Sequence, residues 1–314
     1  MKVIYNYATA PAFERELDAL RARGIDVSVC PESDDERLFT LLPQSDVLWH
    51  CLRPVDRTVM DAAPRLKLVQ KIGVGVNTID LDYAKQRGIA VCNMPGTNSA
   101  AVAEHALALM LAVLRLLRPF DADVRSSRGW TWPAQRQDRL GEIGGRTVGL
   151  IGFGAVPQKL APILTAMGAN VIYTARAPHD DIELEYQSLD DLLCRADIVS
   201  LHVPLSDDTA LMMNRARFMR MKAGSILVNT ARGGLVDEPA LIEALNSGPL
   251  MGAGLDVFAD EPTPPRHALF ERDDVVLTPH IAWLTRETLT RSVAVAVANC
   301  VRLTNAQPLL HRVV

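Results

Sequence analysis

Val148-Gly149-Leu150-Ile151-Gly152-Phe153-Gly154-Ala155-Val156-Pro157 is the stretch that decides how this chain folds. Its first four residues suit a buried strand, two glycines interrupt the run, and residues 158–167 carry a helical pattern. Gly152 permits a tight turn and Gly154 lets a ligand approach the backbone. The amides of Ala155 and Val156 then open a helix, where partial positive charge favours a pyrophosphate. A bare GxG is common, but a strand before it and a helix after it supply the context of a dinucleotide site. Pro157 stands where a third glycine is usual. Proline is tolerated in a first helical turn, at the cost of one N–H donor.

Outward from this loop, short apolar runs alternate with helical patterns. A first series has strands at 2–5, 27–29, 47–49, 68–72 and 89–92, with a helix at 11–23. A second has strands at 147–151, 171–174, 198–202, 226–229, 253–257 and 275–278. The alternation predicts βαβ units and mainly parallel sheets. Strands without polar alternation predict helices on both faces. Between the series, Met94-Pro95-Gly96 makes a turn, and Thr97, Asn98 and Ser99 are N-cap candidates. A long Ala/Leu-rich helix is then expected to run to Pro119. It is apolar nearly all round, which predicts burial between two bodies. A last helix is expected over 285–304.

Composition narrows the function. The chain has 314 residues, 48 % hydrophobic and 22 % charged, enough for two ordinary domains and against disorder. A net charge of −4 argues against a nucleic-acid partner. The densest basic stretch, 215–222, has Phe218, Met219 and Met221 interleaved and reads as an amphipathic helix. The most apolar run, 106–117, is interrupted by Arg115 and is too short for a membrane span. The N-terminus reads as a strand, not a leader. Cysteines 30, 51, 92, 194 and 300 are scattered without a CxxC, which predicts a reducing cytoplasm, no disulfide and no metal site.

Parallel sheets place their chemistry at the C-terminal ends of strands. After the strand at 171–174, a carboxylate commonly binds the adenosine ribose. Here Ala175-Arg176 follows instead, which favours NADP(H) while leaving NAD(H) possible. Arg232 follows the strand at 226–229 by way of Thr230 and Ala231, Asp256 ends another with Glu261 just beyond, and His280 follows the last. A guanidinium can bind a carboxylate and polarise the adjacent carbonyl, and an imidazole can move the proton. His202 also ends an apolar strand, and spacing alone does not choose between it and His280.

The segments 71–80 (KIGVGVNTID), 87–107, 148–154, 202–205 (HVPL), 227–241 (LVNTARGGLVDEPAL), 254–262 (GLDVFADEP) and 277–282 (LTPHIA) together resemble the D-isomer-specific 2-hydroxyacid dehydrogenases. The likeness spans nearly the whole chain and favours glyoxylate/hydroxypyruvate reductase-like members. It implies an α/β fold of two doubly wound parallel-sheet domains. A flavodoxin-like substrate domain, 1–98 plus 285–314, would be interrupted by an inserted Rossmann cofactor domain, 99–284. It also implies a homodimer joined through the long helix.

The same resemblance implies His280 as the acid/base, Glu261 as its partner and Arg232 as the substrate-orienting group. Asp256 would hold the nicotinamide carboxamide. Thr230, Ala231, His202, Val203 and Pro204 would line the cofactor, which demotes His202 from catalyst. Amides at Val74 and Gly75 would grip a substrate carboxylate as the domains close. Arg53 and Trp283 are candidates for substrate specificity. The expected reaction interconverts a small 2-oxo acid and a D-2-hydroxy acid by hydride transfer, favouring NADPH-dependent reduction. A formate- or phosphite-type dehydrogenase and an NAD(P)(H)-sensing binding protein are the alternatives.

Overall fold

The computed structural model describes residues 1–126 and 129–314. The chain divides into two compact units, Met1–Asn98 with Thr285–Val314, and Ser99–Leu284.

The first unit holds β1 (Lys2–Asn6), β2 (Asp26–Val29), β3 (Val47–His50), β4 (Leu68–Lys71) and β5 (Ala90–Cys92). They form one all-parallel sheet in the order β2-β1-β3-β4-β5, the flavodoxin-like arrangement. Three of its helices start on aspartates. Asp34, Asp56 and Asp80 accept from the backbone N–H of Arg37, Val59 and Tyr83 at 3.0, 3.0 and 2.9 Å. Each cap satisfies an amide that the helix itself cannot. The last helix, Arg286–Thr304, is capped by Thr285 and returns to this sheet. Its fully buried Asn299 donates to Gln70 Oε1 at 2.6 Å and accepts from Leu310 N at 2.7 Å. The expected helix over 11–23 is α-helical only to Asp18 and tightens into a 3₁₀ turn to Arg23.

The second unit holds β6 (Thr147–Ile151), β7 (Asn170–Thr174), β8 (Glu185–Tyr186), β9 (Ile198–Leu201), β10 (Ser225–Asn229), β11 (Leu250–Leu255) and β12 (Val275–Leu277). The order is β12-β11-β10-β9-β6-β7-β8, all parallel. Reading from β8, this is the doubly wound Rossmann order with one added strand, and it reverses between β6 and β9. Side chains alternate between two cores: Ile198, Ile226 and Val228 enter one, Val199, Leu201 and Leu227 the other. Both faces of the sheet are therefore dry, which is why its strands read as unbroken apolar runs. The two-residue edge strand β8 was too short to read from sequence.

Three helical expectations need correction. The long helix does not continue to Pro119. Ser99–Leu114 ends, Leu116 adopts φ 51°, and a second helix, Leu117–Arg125, departs at 64°. Pro119 sits in the first turn of that second helix, where its missing N–H breaks no helical bond. Nor does burial of Ser99–Leu114 require two bodies. It packs on β10, β11, β12 and the helix Ala155–Ala166 of its own unit. The basic stretch at 215–222 is helical only over Arg215–Phe218. Among the described residues no single helix is long and apolar enough to cross a membrane, and no cluster of His, Cys, Asp or Glu could hold a metal ion. All five cysteines are free, with only Cys194 exposed.

Candidate active site

The phosphate loop is built as its residue types require. Gly152 has φ 93°, and a Cβ there would lie 2.6 Å from the His202 carbonyl oxygen. Only glycine fits. At Gly154 a Cβ would meet nothing within 4 Å, so the loop opens onto free space. Gly154 caps the 12-residue helix Ala155–Ala166, and Gly154 and Ala155 are exposed. Pro157 is buried as the third residue of that helix, and Val156 is partly buried before it. The N–H groups of Gly154, Ala155 and Val156, but not Pro157, lie at a helix N-terminus, where an anion is favoured.

Other strand ends surround the same edge of the sheet. Thr230, after β10, has a buried hydroxyl with no hydrogen-bond partner among the described residues. A buried polar atom without a partner is uncommon, and this one is of a type that suits contact with a cofactor. Asn229 accepts from Ala231 N at 3.0 Å and donates to the Arg232 carbonyl at 2.9 Å, fixing the turn that carries Arg232. His202 follows β9, with Val203 and Pro204 after it. Burial pushes its imidazole down to about 4, and its Nε2 pairs with Ser200 Oγ at 2.9 Å. A ring neutral at physiological pH lines a site and is a poor proton donor. After β7, Arg176 is exposed and has no hydrogen-bond or ion-pair partner among the described residues.

His280, Glu261 and Arg232 come together. His280 Nδ1 lies 2.6 Å from Glu261 Oε2, and the other carboxylate oxygen accepts from Phe258 N at 2.9 Å. Burial alone would raise the Glu261 carboxyl. The His280 hydrogen bond and charge, the Phe258 amide and the nearby Arg232 outweigh it, leaving Glu261 below the ordinary carboxylate range. Arg232 is mostly buried. Desolvation lowers its guanidinium while Glu261 opposes that, and Nη1 donates to the Ala231 carbonyl at 2.6 Å. Close packing holds the turn, since a Cβ on Gly233 would fall 1.8 Å from the Phe258 carbonyl carbon.

Asp256 is buried where β11 ends. Its carboxylate is 1 % exposed and already takes three donors: Thr278 Oγ1 at 2.6 Å, Ile281 N at 2.9 Å and Ala282 N at 2.9 Å. It anchors the loop that carries His280. Trp283, expected beside substrate or between domains, is 7 % exposed, and its indole N–H donates to the His280 carbonyl at 3.1 Å. It braces the same loop from within. His280 itself adopts φ 54°, a left-handed conformation costly for a non-glycine residue.

In the first unit, the amides of Val74 and Gly75 have no partner among the described residues, and Val74 is 46 % exposed. The loop is held by Asn93, which donates to the Val74 carbonyl at 2.9 Å, and by Met94 N on the Gly73 carbonyl at 2.8 Å. Arg53 is committed elsewhere. It pairs with Asp35 at 2.9 Å, donates to the Pro54 carbonyl and lies over the Phe39 ring. Sequence reasoning missed Thr278 and His105, whose Nε2 lies 2.9 Å from Thr278 Oγ1. The two residues are 173 positions apart, and no local pattern joins them.

Residues 107–282 match the D-isomer specific 2-hydroxyacid dehydrogenase, NAD binding domain, family. The chain is 42 % identical over 276 residues to a D-3-phosphoglycerate dehydrogenase of Mycobacterium leprae, covering 86 % of this chain and 51 % of that protein. It thus spans about half the length of that relative. It is 37 % identical over 308 residues to a glyoxylate reductase of Aeropyrum pernix, covering 94 % and 91 % of the two chains. Among solved structures, the TT0316 protein of Thermus thermophilus superposes with a TM-score of 0.89 at 38 % identity, over the full length of both chains. With that match over more than half its length and the glycine loop, arginine, glutamate and histidine at their strand ends, the chain belongs to the D-isomer specific 2-hydroxyacid dehydrogenase family.

Proposed function

We propose that the protein is an NAD(P)-dependent oxidoreductase that interconverts a small 2-oxo acid and the corresponding D-2-hydroxy acid. The observation that carries this reading is the His280–Glu261 pair at 2.6 Å beside a mostly buried Arg232. Gly152, Gly154, Ala155 and Val156 would hold the cofactor's phosphates. Thr230, Ala231, His202, Val203 and Pro204 would line its path, and the nicotinamide supplies hydride to the substrate carbon when bound.

The chain's own groups do the rest in the reductive direction. Glu261 occupies Nδ1 of His280 and stabilises the imidazolium, which leaves Nε2 to donate a proton to the forming alkoxide oxygen. Arg232 binds the substrate carboxylate and the reacting carbonyl oxygen with its planar fork of donors. In the first unit, the amides of Val74 and Gly75, which have no partner among the described residues, would be donors to a carboxylate.

Ala175 places no carboxylate at that position to repel a 2′-phosphate, and Arg176 beside it is a cation without an ion-pair partner among the described residues. This supports a preference for NADPH, hence for reduction. The test is initial-rate oxidation of NADPH and NADH with glyoxylate, hydroxypyruvate, pyruvate, phenylpyruvate and oxaloacetate. Higher kcat/KM with NADPH, lost in Arg176→Ala, is expected. Equal kcat/KM for the two cofactors would refute the preference and leave the oxidoreductase reading standing. Cofactor binding without turnover of any oxo acid would favour a formate-type donor or a sensor.

A further inference from the structure

We propose that His105 is a positioning residue for His280, acting as an obligatory hydrogen-bond donor to Thr278 and, through it, on the Asp256 clamp. The inference rests on the reading of His280 as the proton donor.

A count of protons leads there. Asp256 Oδ1 accepts from the Thr278 hydroxyl and the Ile281 amide, and Oδ2 accepts from the Ala282 amide. A hydroxyl has one proton, and Thr278 spends it on Asp256. Its oxygen can then only accept from His105 Nε2, 2.9 Å away. His105 must therefore carry a proton on Nε2. That nitrogen also lies 3.6 Å from Asp256 Oδ1, so the same N–H faces both oxygens.

The clamp matters because of the backbone it holds. His280 sits at φ 54°, a conformation that persists only where the surroundings over-determine it. Thr278, His280, Ile281 and Ala282 all hydrogen-bond to Asp256, His280 through its amide to the Asp256 carbonyl at 2.7 Å. Of these, only the Thr278 hydroxyl can rotate away. His105 removes that freedom by fixing the direction of the Thr278 proton. The helix Ser99–Leu114 presents His105 rigidly, for it packs so closely on β11 that a Cβ on Gly254 would lie 2.8 Å from Leu109 Cβ.

Two variants separate the donor from the volume. His105→Phe keeps the bulk and loses the N–H, whereas His105→Gln keeps an N–H at similar reach. With the best 2-oxo acid, His105→Phe is expected to lower kcat by about 10- to 100-fold, the scale of a small misplacement of a reacting group. KM should change far less, because Arg232 and the 73–76 loop are untouched, and His105→Gln should restore most of kcat. Wild-type kcat in His105→Phe, or equal impairment in both variants, would overturn the proposal. A second readout needs no turnover. Long-range ¹H–¹⁵N NMR of histidine-labelled wild-type protein should show Nε2 of His105 protonated, and an unprotonated Nε2 would overturn the proposal even if His105→Phe fails to fold. A wild type inert on every oxo acid but with Nε2 protonated would fault the functional reading and sustain the clamp.

Discussion

At the scale of single residues, the chemistry reduces to where three charges sit. Glu261 is held below the ordinary carboxylate range by His280, the Phe258 amide and Arg232. Its folded pKa is depressed, so the ion pair contributes stability above the unfolded carboxylate pKa and loses it as pH falls through the folded value. Glu261→Gln keeps a side-chain oxygen at reach of His280 Nδ1 but removes its charge. The variant should lose most of its reductive kcat, and wild-type kcat in Glu261→Gln would contradict the pairing. His280→Ala should cut kcat by about 10²- to 10⁴-fold while leaving the cofactor Kd nearly unchanged, measured by fluorescence titration. Arg232, Glu261 and His280 were each legible as polar residues at strand ends. The choice of His280 over His202 was not, until the likeness of whole segments favoured it. The structure adds a physical reason, since burial keeps the His202 ring neutral.

At the scale of elements, strands were the most legible feature because both faces of each sheet are dry. Every expected strand is present, with ends shifted by at most a few residues. The break at Leu116 was not legible. A run of Ala and Leu has no local reason to stop there, and the proline that looked like the stop lies in the next helix. The indole N–H of Trp283, which donates to the His280 carbonyl, was not legible either, because no sequence pattern marks that bond. The glycine loop makes the clearest element-scale prediction. Gly152→Ala puts a methyl 2.6 Å from the His202 carbonyl oxygen and at an unfavourable φ. It should lower the midpoint of thermal unfolding and weaken cofactor binding at least tenfold, whereas Gly154→Ala, facing open space, should fold with wild-type stability. In the first unit, Asn299→Ala leaves Gln70 and the Leu310 amide without their buried partner. A loss of about 1–3 kcal/mol is expected for the urea transition of that unit.

At the scale of the whole molecule, the chain runs from one doubly wound sheet into a second and returns through Arg286–Thr304 to the first. Asn299 fastens that return. Subunit association belongs to this scale. Leu117 and Val124, seven residues apart on one helix face, are 54 % and 58 % exposed. Trp130 is 93 % exposed, and Trp132 stands edge-on to Phe120. We expect this face to meet a second copy, and Val124→Asp should shift a dimer to a monomer by light scattering. The central claim is hydride transfer to C2 of a 2-oxo acid. Its most direct test uses NADPH and NADH deuterated at C4 with the 2-oxo acid panel, the products being read by mass spectrometry. Wild type should place one deuterium at C2 of a D-2-hydroxy acid, and His280→Ala should form that product far more slowly. Cofactor oxidation with no deuterium at C2, or a product that persists in His280→Ala at wild-type rate, would contradict it.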